Sequence, residues 1–372
     1  MKQFAGFLLQ ERKAPSTRWT LLLSLVSIGV ALVLLGVVFS LYGISPIKAY
    51  QTIFTGTLTD WSGFSAVLQR TIPLLLIGVG LVMAFRTLFF NIGAEGQLLV
   101  GATAAAGVGL FVPLPDPLTL PIMLLVGFLA GAAWAFIPAL LKLKLQINEV
   151  ITTLMLNYVA INLVNYLVQG PWKGKTAYGY AYTDPLKDSA WMPTLPGTNL
   201  HWGTLIIAVV FAVVTGLILG RTTEGFRMRI LGESPSVAKY LGMNTLKTTL
   251  LVMLISGGAA GLAGVGELTG IHHKLLDPLQ LSLGYGYTAI IVAWLARGNP
   301  LGVLITAPFF GLIFAAGDVM KVTLQMPFQI VDVFNGILLF LLIATEPLIR
   351  YKLVKAPEQT PIHTTRETPN GR

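Results

Sequence analysis

The chain has 372 residues, 54% hydrophobic and only 11% charged, with a mean hydropathy of +0.74, whereas soluble domains carry about 25% charged residues; this is the composition of a polytopic membrane protein. The absence of cysteine excludes disulfides, thiolate metal sites and a lipid-modified cysteine anchor. Nucleic-acid binding is a poor explanation of the net charge of +9, because the basic residues are scattered over short loops and form no stripe with aromatic platforms.

In chain order the uncharged runs are 19–47, 71–85, 96–115, 117–141, 150–172, 189–220, 248–266, 278–296 and 298–317. Most reach the roughly 17 to 25 residues that a helix needs to cross a bilayer. A tenth apolar span, 331–348, carries Asp332 and Glu346 near its ends. The expectation is an all-α membrane domain of about ten transmembrane helices over 19–349, with a segment 1–18 before it and a disordered tail 350–372 after it; transmembrane β-strands have no support. The first run follows a basic N-terminus but is too long for a signal peptide, and reads as a retained span. With the N-terminus inside, 18 Lys and Arg fall on the cytoplasmic side and 7 on the other, so both termini are expected in the cytoplasm.

The first polar constellation is Phe90–Gln97, FNIGAEGQ, beside the short run 71–85. A carboxylate within a bilayer costs a few kcal/mol and faces a cavity or a partner, and close glycines let the backbone open. Asn91, Glu95 and Gln97 are therefore expected to point inward from a broken or tightly packed junction. An equal alternative is a turn at the cytoplasmic interface with Glu95 paired to Arg86. Asn148 and Glu149 open the next polar series, followed by Asn157, Tyr158, Asn162 and Asn165; Asn157 and Asn165 lie two helical turns apart on one face. Asn91, Glu95, Gln97, Asn157 and Tyr158 are the candidates for a translocation path. Glu267, Asp332 and Asn335 read as packing or interface groups.

Segment 170–202 is the longest external loop and is rich in Trp, Tyr and Pro; its aromatics read as an interfacial belt, with a docking surface as the alternative. The stretches Gly101–Gly109 and Ser256–Gly266 are dense in small residues, as helix-packing faces in membranes are.

Residues 221–247 form a charged loop carrying one short helix. Ser234 can cap it, Pro235 suits its first position and Gly242 its left-handed end. The helix then covers Pro235–Leu241, with Val237, Tyr240 and Leu241 on one apolar face. It either tucks against its own protein or is held out to another. His272 and His273 read as solvated loop residues, without the carboxylate spacing of a metal site. No catalytic motif appears, and GPWKGKT (Gly170–Thr176) lacks a residue between its glycines and the strand-to-helix setting of a phosphate loop.

Several segments, taken together and in order, resemble a known family: Phe90–Ala102, Ile147–Lys173, Arg229–Asn244 (RILGESPSVAKYLGMN) and Gly284–Gly302 (GYGYTAIIVAWLARGNPLG). The chain is similar to the permease subunit of bacterial ABC importers, a family that includes simple-sugar, autoinducer and branched-chain amino-acid permeases; NIGAEGQ and NEVITTLMLNY look closest to its nucleoside-type branch. The resemblance implies a non-catalytic, multi-pass protein of the bacterial cell membrane, without cofactor. It implies a coupling helix docked on a cytoplasmic ATPase through Gly232, Glu233, Ser234, Pro235, Val237, Ala238, Tyr240 and Gly242. It also implies a second permease, a related but different chain, and an external substrate-binding lipoprotein. The solute expected is a neutral polar one, most simply a nucleoside, with Phe89 or Phe90 able to stack on a base. A sugar or branched-chain amino-acid permease is the alternative within the family, and an ion-coupled secondary transporter is the alternative outside it.

Overall fold

Asn and Asp residues that stand just before apolar runs start many of the helices. Asp60, Asn148, Asn244, Asp277 and Asn299 each accept a hydrogen bond from a first-turn backbone N–H, at 2.8 to 3.0 Å. Pro278 and Pro300 follow two of these caps, at the one helical position where a missing N–H costs nothing. The computed structural model describes residues 3–4, 7–11, 17–175, 177–327 and 329–355.

The elements are β1 (Gln3–Phe4), β2 (Phe7–Glu11), α1 (Thr17–Leu41), α2 (Pro46–Leu58), α3 (Trp61–Arg86), α4 (Ala94–Phe111), α5 (Asp116–Leu145), α6 (Glu149–Gln169), α7 (Trp202–Arg221), α8 (Thr223–Glu233), α9 (Pro235–Tyr240), α10 (Thr245–Glu267), α11 (Pro278–Ser282), α12 (Tyr285–Leu295), α13 (Pro300–Thr323), α14 (Ile330–Arg350) and β3 (Tyr351–Lys355). A single π-helical turn, Leu268–His272, continues α10.

The chain divides into two units. The first joins Met1–Ile47 to Asp332–Arg372; in it the Ser27 hydroxyl lies 3.5 Å from that of Thr345, and β2 pairs antiparallel with β1 and with β3, from Phe7 opposite Lys355 to Glu11 opposite Tyr351. The tail expected to be disordered from 350 therefore begins with a paired strand, and the rest of it, 356–372, lies outside the described residues.

The second unit, Lys48–Val331, is the helical body. Along their most apolar stretches α3 is 83% buried and α10, with its π turn, 72%, against 22% for α6 and 28% for α5 and α7. In lipid an apolar surface needs no cover, so α3 and α10 form the centre while α5, α6 and α7 keep wide apolar faces outside. The small-residue stretches make that centre tight. A Cβ on Gly101 of α4 would stand 2.4 Å from the Gly261 Cα of α10, and one on Gly131 of α5 would stand 2.3 Å from the Gly257 oxygen. Only glycine permits backbones to meet so closely.

Among the described residues seven helices are long and apolar enough to cross a membrane, or eight when the broken pair α1 and α2 counts as one, short of the ten expected. One cause is the run 278–296. Leu283 and Gly284 both take positive φ, 45° and 72°, so the run divides into α11 and an 11-residue α12, about 16 Å long against a hydrocarbon core of about 30 Å. Runs bounded by charges also misplace helix ends: Arg70 lies inside α3 and Asp318 inside α13.

Candidate functional site

Between α3 and α4 the chain leaves helical geometry for seven residues, with Leu88 at φ 55°. This break is held open by side-chain amides. Asn91 and Gln97 bond each other reciprocally at 3.0 Å in both directions. Asn91 also donates to Ser256 Oγ of α10 at 3.2 Å and accepts from the Gly93 N–H at 3.0 Å. From α6, Asn157 accepts from the Gly96 N–H and donates to the Ile92 carbonyl, both at 2.9 Å, and reaches the Tyr287 hydroxyl at 3.3 Å. All three amides are buried; Asn91 and Asn157 supply partners that the local backbone lacks, and Gln97 holds Asn91 in place.

Glu95, fully enclosed in the first turn of α4, braces a second break. It accepts from the Ser282 hydroxyl and, at 2.8 Å, from the Gly286 N–H. Those donors belong to the end of α11 and the open start of α12, where unpaired amides and the helix dipole favour an anion. Arg86 does not pair with Glu95; its Nε donates to the Gly298 carbonyl at 2.7 Å, beyond the far end of α12. Glu95 thus sits at one end of α12 and the Arg86–Gly298 bond beyond the other, roughly one α12 length, about 16 Å, apart. Asn91, Glu95, Gln97 and Asn157 come together as this double brace. Tyr158 does not join them, and is 55% exposed on the outer side of α6.

The 221–247 segment holds two helices. α8 follows directly on α7, capped by the Thr222 hydroxyl at 3.1 Å from the Gly225 N–H. Ser234 Oγ accepts from the Val237 N–H at 3.4 Å to start α9, and Gly242 ends the turn at φ 68°. Of α9 only Ala238 is buried. The face of Val237, Tyr240 and Leu241 points away from the protein, with Tyr240 90% exposed. The α8–α9 pair is anchored at Gly232, where a Cβ would stand 1.9 Å from the Arg86 carbonyl oxygen at the end of α3.

Residues 63–344 match the family described as branched-chain amino acid transport system, permease component. A glucose ABC transporter permease protein of Haloferax volcanii is 35% identical over 345 residues, which cover 90% of this chain and 88% of that one. This chain belongs to that permease family. A guanosine ABC transporter permease protein of Bacillus subtilis is 32% identical, covering 90% and 96% of the two chains, and a nucleoside ABC transporter permease protein of Lactococcus lactis is 29% identical, covering 91% and 96%. The permease is a multi-pass membrane protein.

Three polar groups of the permease were not legible as sites in its sequence. Arg70, on α3, bonds Asp318 of α13 through Nε at 3.0 Å and Nη2 at 2.9 Å, and donates to the Tyr285 hydroxyl at 2.8 Å. The signal available was a pair of charges inside long apolar stretches, read instead as span boundaries. Glu267 is buried at the end of α10, and among the described residues neither of its oxygens has a hydrogen-bond partner; His272 lies 4.0 Å away. His201 is enclosed against Gly270 of the π turn, and burial lowers its pKa to about 4, keeping the ring neutral. Nor are His272 and His273 solvated, as expected: the His273 ring stacks on Trp191 with centroids 4.0 Å apart. Burial lowers the His273 pKa too. Of the aromatics of segment 170–202, Trp172 packs on Phe111 and Tyr182 lies under Lys274, while Tyr178 and Tyr180 are exposed.

Proposed function

We propose that this permease is the membrane subunit of an ATP-driven importer of nucleosides, without catalytic activity of its own, and that α9 is its contact with a cytoplasmic ATPase. The observation that carries the reading is the outward apolar face of α9. A six-residue helix is too short to be stable alone, and here it turns Val237, Tyr240 and Leu241 away from its own chain. The excess of Lys and Arg on its side of the membrane supports a cytoplasmic location, with both termini on that side. Gly232, Glu233, Ser234 and Pro235 build the approach to this helix, and Gly242 ends it. A second permease and an external substrate-binding lipoprotein complete the assembly in the cell membrane.

The nucleoside reading is supported by the relatives named for guanosine and nucleosides, each matched over nearly its whole length. A second reading, import of glucose, rests on the relative from Haloferax volcanii. Both cargoes are neutral and rich in hydroxyls. Isolation of the permease from its native membrane, followed by identification of co-purifying chains and uptake assays with guanosine and with glucose, tests the assignment. ATP-dependent uptake in the company of an ATPase is expected. Recovery without an ATPase, together with gradient-driven uptake in liposomes, refutes the reading in favour of a secondary transporter. Replacing both Glu233 and Tyr240 by Ala should remove ATPase association or coupling while leaving membrane insertion intact.

A further inference from the structure

One polar cavity of the helical body belongs neither to the double brace nor to the α8–α9 contact. It holds about 340 Å³ and is lined by Ser62, Ser65, Ala66 and Gln69 of α3 and by Gly197, Thr198 and Asn199. That volume lies at the lower end of small-molecule sites, about 300 to 1,000 Å³. Ser62, Ser65 and Gln69 fall at i, i+3 and i+7, one face of the helix. The facing wall is an ordered turn: the Leu195 N–H bonds the Leu200 carbonyl at 2.9 Å, Gly197 takes φ 73°, and both the Thr198 N–H and its hydroxyl reach the Leu195 carbonyl at 3.0 Å.

Gln69 decides what the cavity is for. Gln69 as a residue is only 8% exposed, no described residue bonds its amide, and the amide atoms keep open surface toward the cavity instead of being sealed in the protein. The amides of Asn91, Gln97 and Asn157 are spent on protein partners, whereas that of Gln69 faces the cavity and can meet a solute. A primary amide offers donor and acceptor side by side, which matches two adjacent hydroxyls. Among the described residues no ionisable side chain lines the cavity. The nearest charge in sequence, Arg70, is tied to Asp318 and Tyr285, so nothing favours an anion.

We infer that this cavity is a solute subsite that receives the vicinal diol of an uncharged ring, the ribose of a nucleoside or a hexose, with the Gln69 amide as its principal reader. The inference rests on the importer reading and extends it to solute class. It also gives α3 two roles: the subsite occupies its first turns, and Arg86, where Gly232 presses, is its last residue. Seventeen residues, about 26 Å of helix that includes Pro73, separate Gln69 from that contact.

The test uses the complete importer in proteoliposomes, with loaded binding protein at saturation so that capture is not limiting. Uptake of guanosine, 2′,3′-dideoxyguanosine, D-glucose and 2-deoxy-D-glucose is compared for the natural chain, Gln69→Leu and Gln69→Asn. Gln69→Leu should slow the natural cargo about tenfold, the equivalent of one or two lost hydrogen bonds, and slow its deoxy analogue less than twofold. Gln69→Asn should restore more than half of the rate. Guanosine against glucose identifies which ring is carried. Equal slowing of cargo and analogue, or no slowing of either, overturns the subsite. Failure of the natural complex to import either solute with ATP removes the importer reading itself, a result that no Gln69 variant can mimic.

Discussion

Replacing Gly232 with Ala tests whether α8 and α3 are mechanically joined. The new methyl carbon would stand 1.9 Å from the Arg86 carbonyl oxygen, and ordinary contact begins at 3.4 Å, so the two backbones must part by about 1.5 Å. No rotamer relieves the clash, because the obstacle is main chain. Overpacking of this kind costs about 1 to 3 kcal/mol, and the parting either tilts α8 or draws Arg86 from the Gly298 carbonyl, now 2.7 Å away. The control is Gly220→Ala, whose Cβ meets nothing within 4 Å and whose φ is not positive; there a better helix former should be neutral or slightly stabilising. The assay compares thermal unfolding in detergent with ATP-driven uptake and ATPase binding in liposomes. Gly232→Ala should lose stability and at least tenfold in coupled uptake, while Gly220→Ala keeps both. If the two variants behave alike, the contact transmits nothing and the argument fails.

Glu95→Ala leaves the Gly286 N–H without its acceptor and should cost about 2 to 3 kcal/mol, measured by thermal unfolding in detergent; Glu95→Gln, which keeps one acceptor, should cost about half as much. Arg70→Met and Asp318→Asn should each destabilise by about 1 to 2 kcal/mol, and the double variant by about 1 kcal/mol less than their sum, because each single change strands the other charge. Lowering the pH should unfold the permease through His201. Its folded pKa of about 4 lies below the ordinary 6.5, so the unfolded chain binds the proton first. Stability is full above pH 6.5 and falls as pH drops towards 4, by about 3 kcal/mol at most; His201→Phe should flatten that slope in a pH series of melting curves.

What the sequence disclosed followed the range of the interactions involved. α9 was readable because capping chemistry is local: Ser234, Pro235 and Gly242 act within eight residues of one another. α8 was hidden because TEGFRMRILGE has the charge of a loop and lacks an apolar stripe, and what holds it, the burial of Met228 and Leu231 and the seating of Gly232 on the Arg86 carbonyl at the end of α3, depends on residues far away in the chain. The inward direction of Asn91, Glu95 and Gln97 was visible in the cost of polar groups in lipid. The partners outside the motif were not, since Ser256, Ser282 and Gly286 are more than 160 residues distant. Arg70 and Asp318 were mistaken for span ends for the same reason. A charge closes an apolar run in a window, whereas its counter-ion 248 residues away lets the helix continue.

The glycine contacts of the centre limit how the permease can move. Where Gly101 meets Gly261 and Gly131 meets Gly257, the surfaces are main chain on main chain, and a slip of one residue, about 1.5 Å along the axis, drives a side chain into a carbonyl. α4, α5 and α10 can therefore turn only together, as one plate. Whatever opens and closes during transport must bend at the plate's margins, and the nearest hinge is the break at Leu283 and Gly284 in α11–α12, beside the contact of Gly286 with Glu95 of the plate.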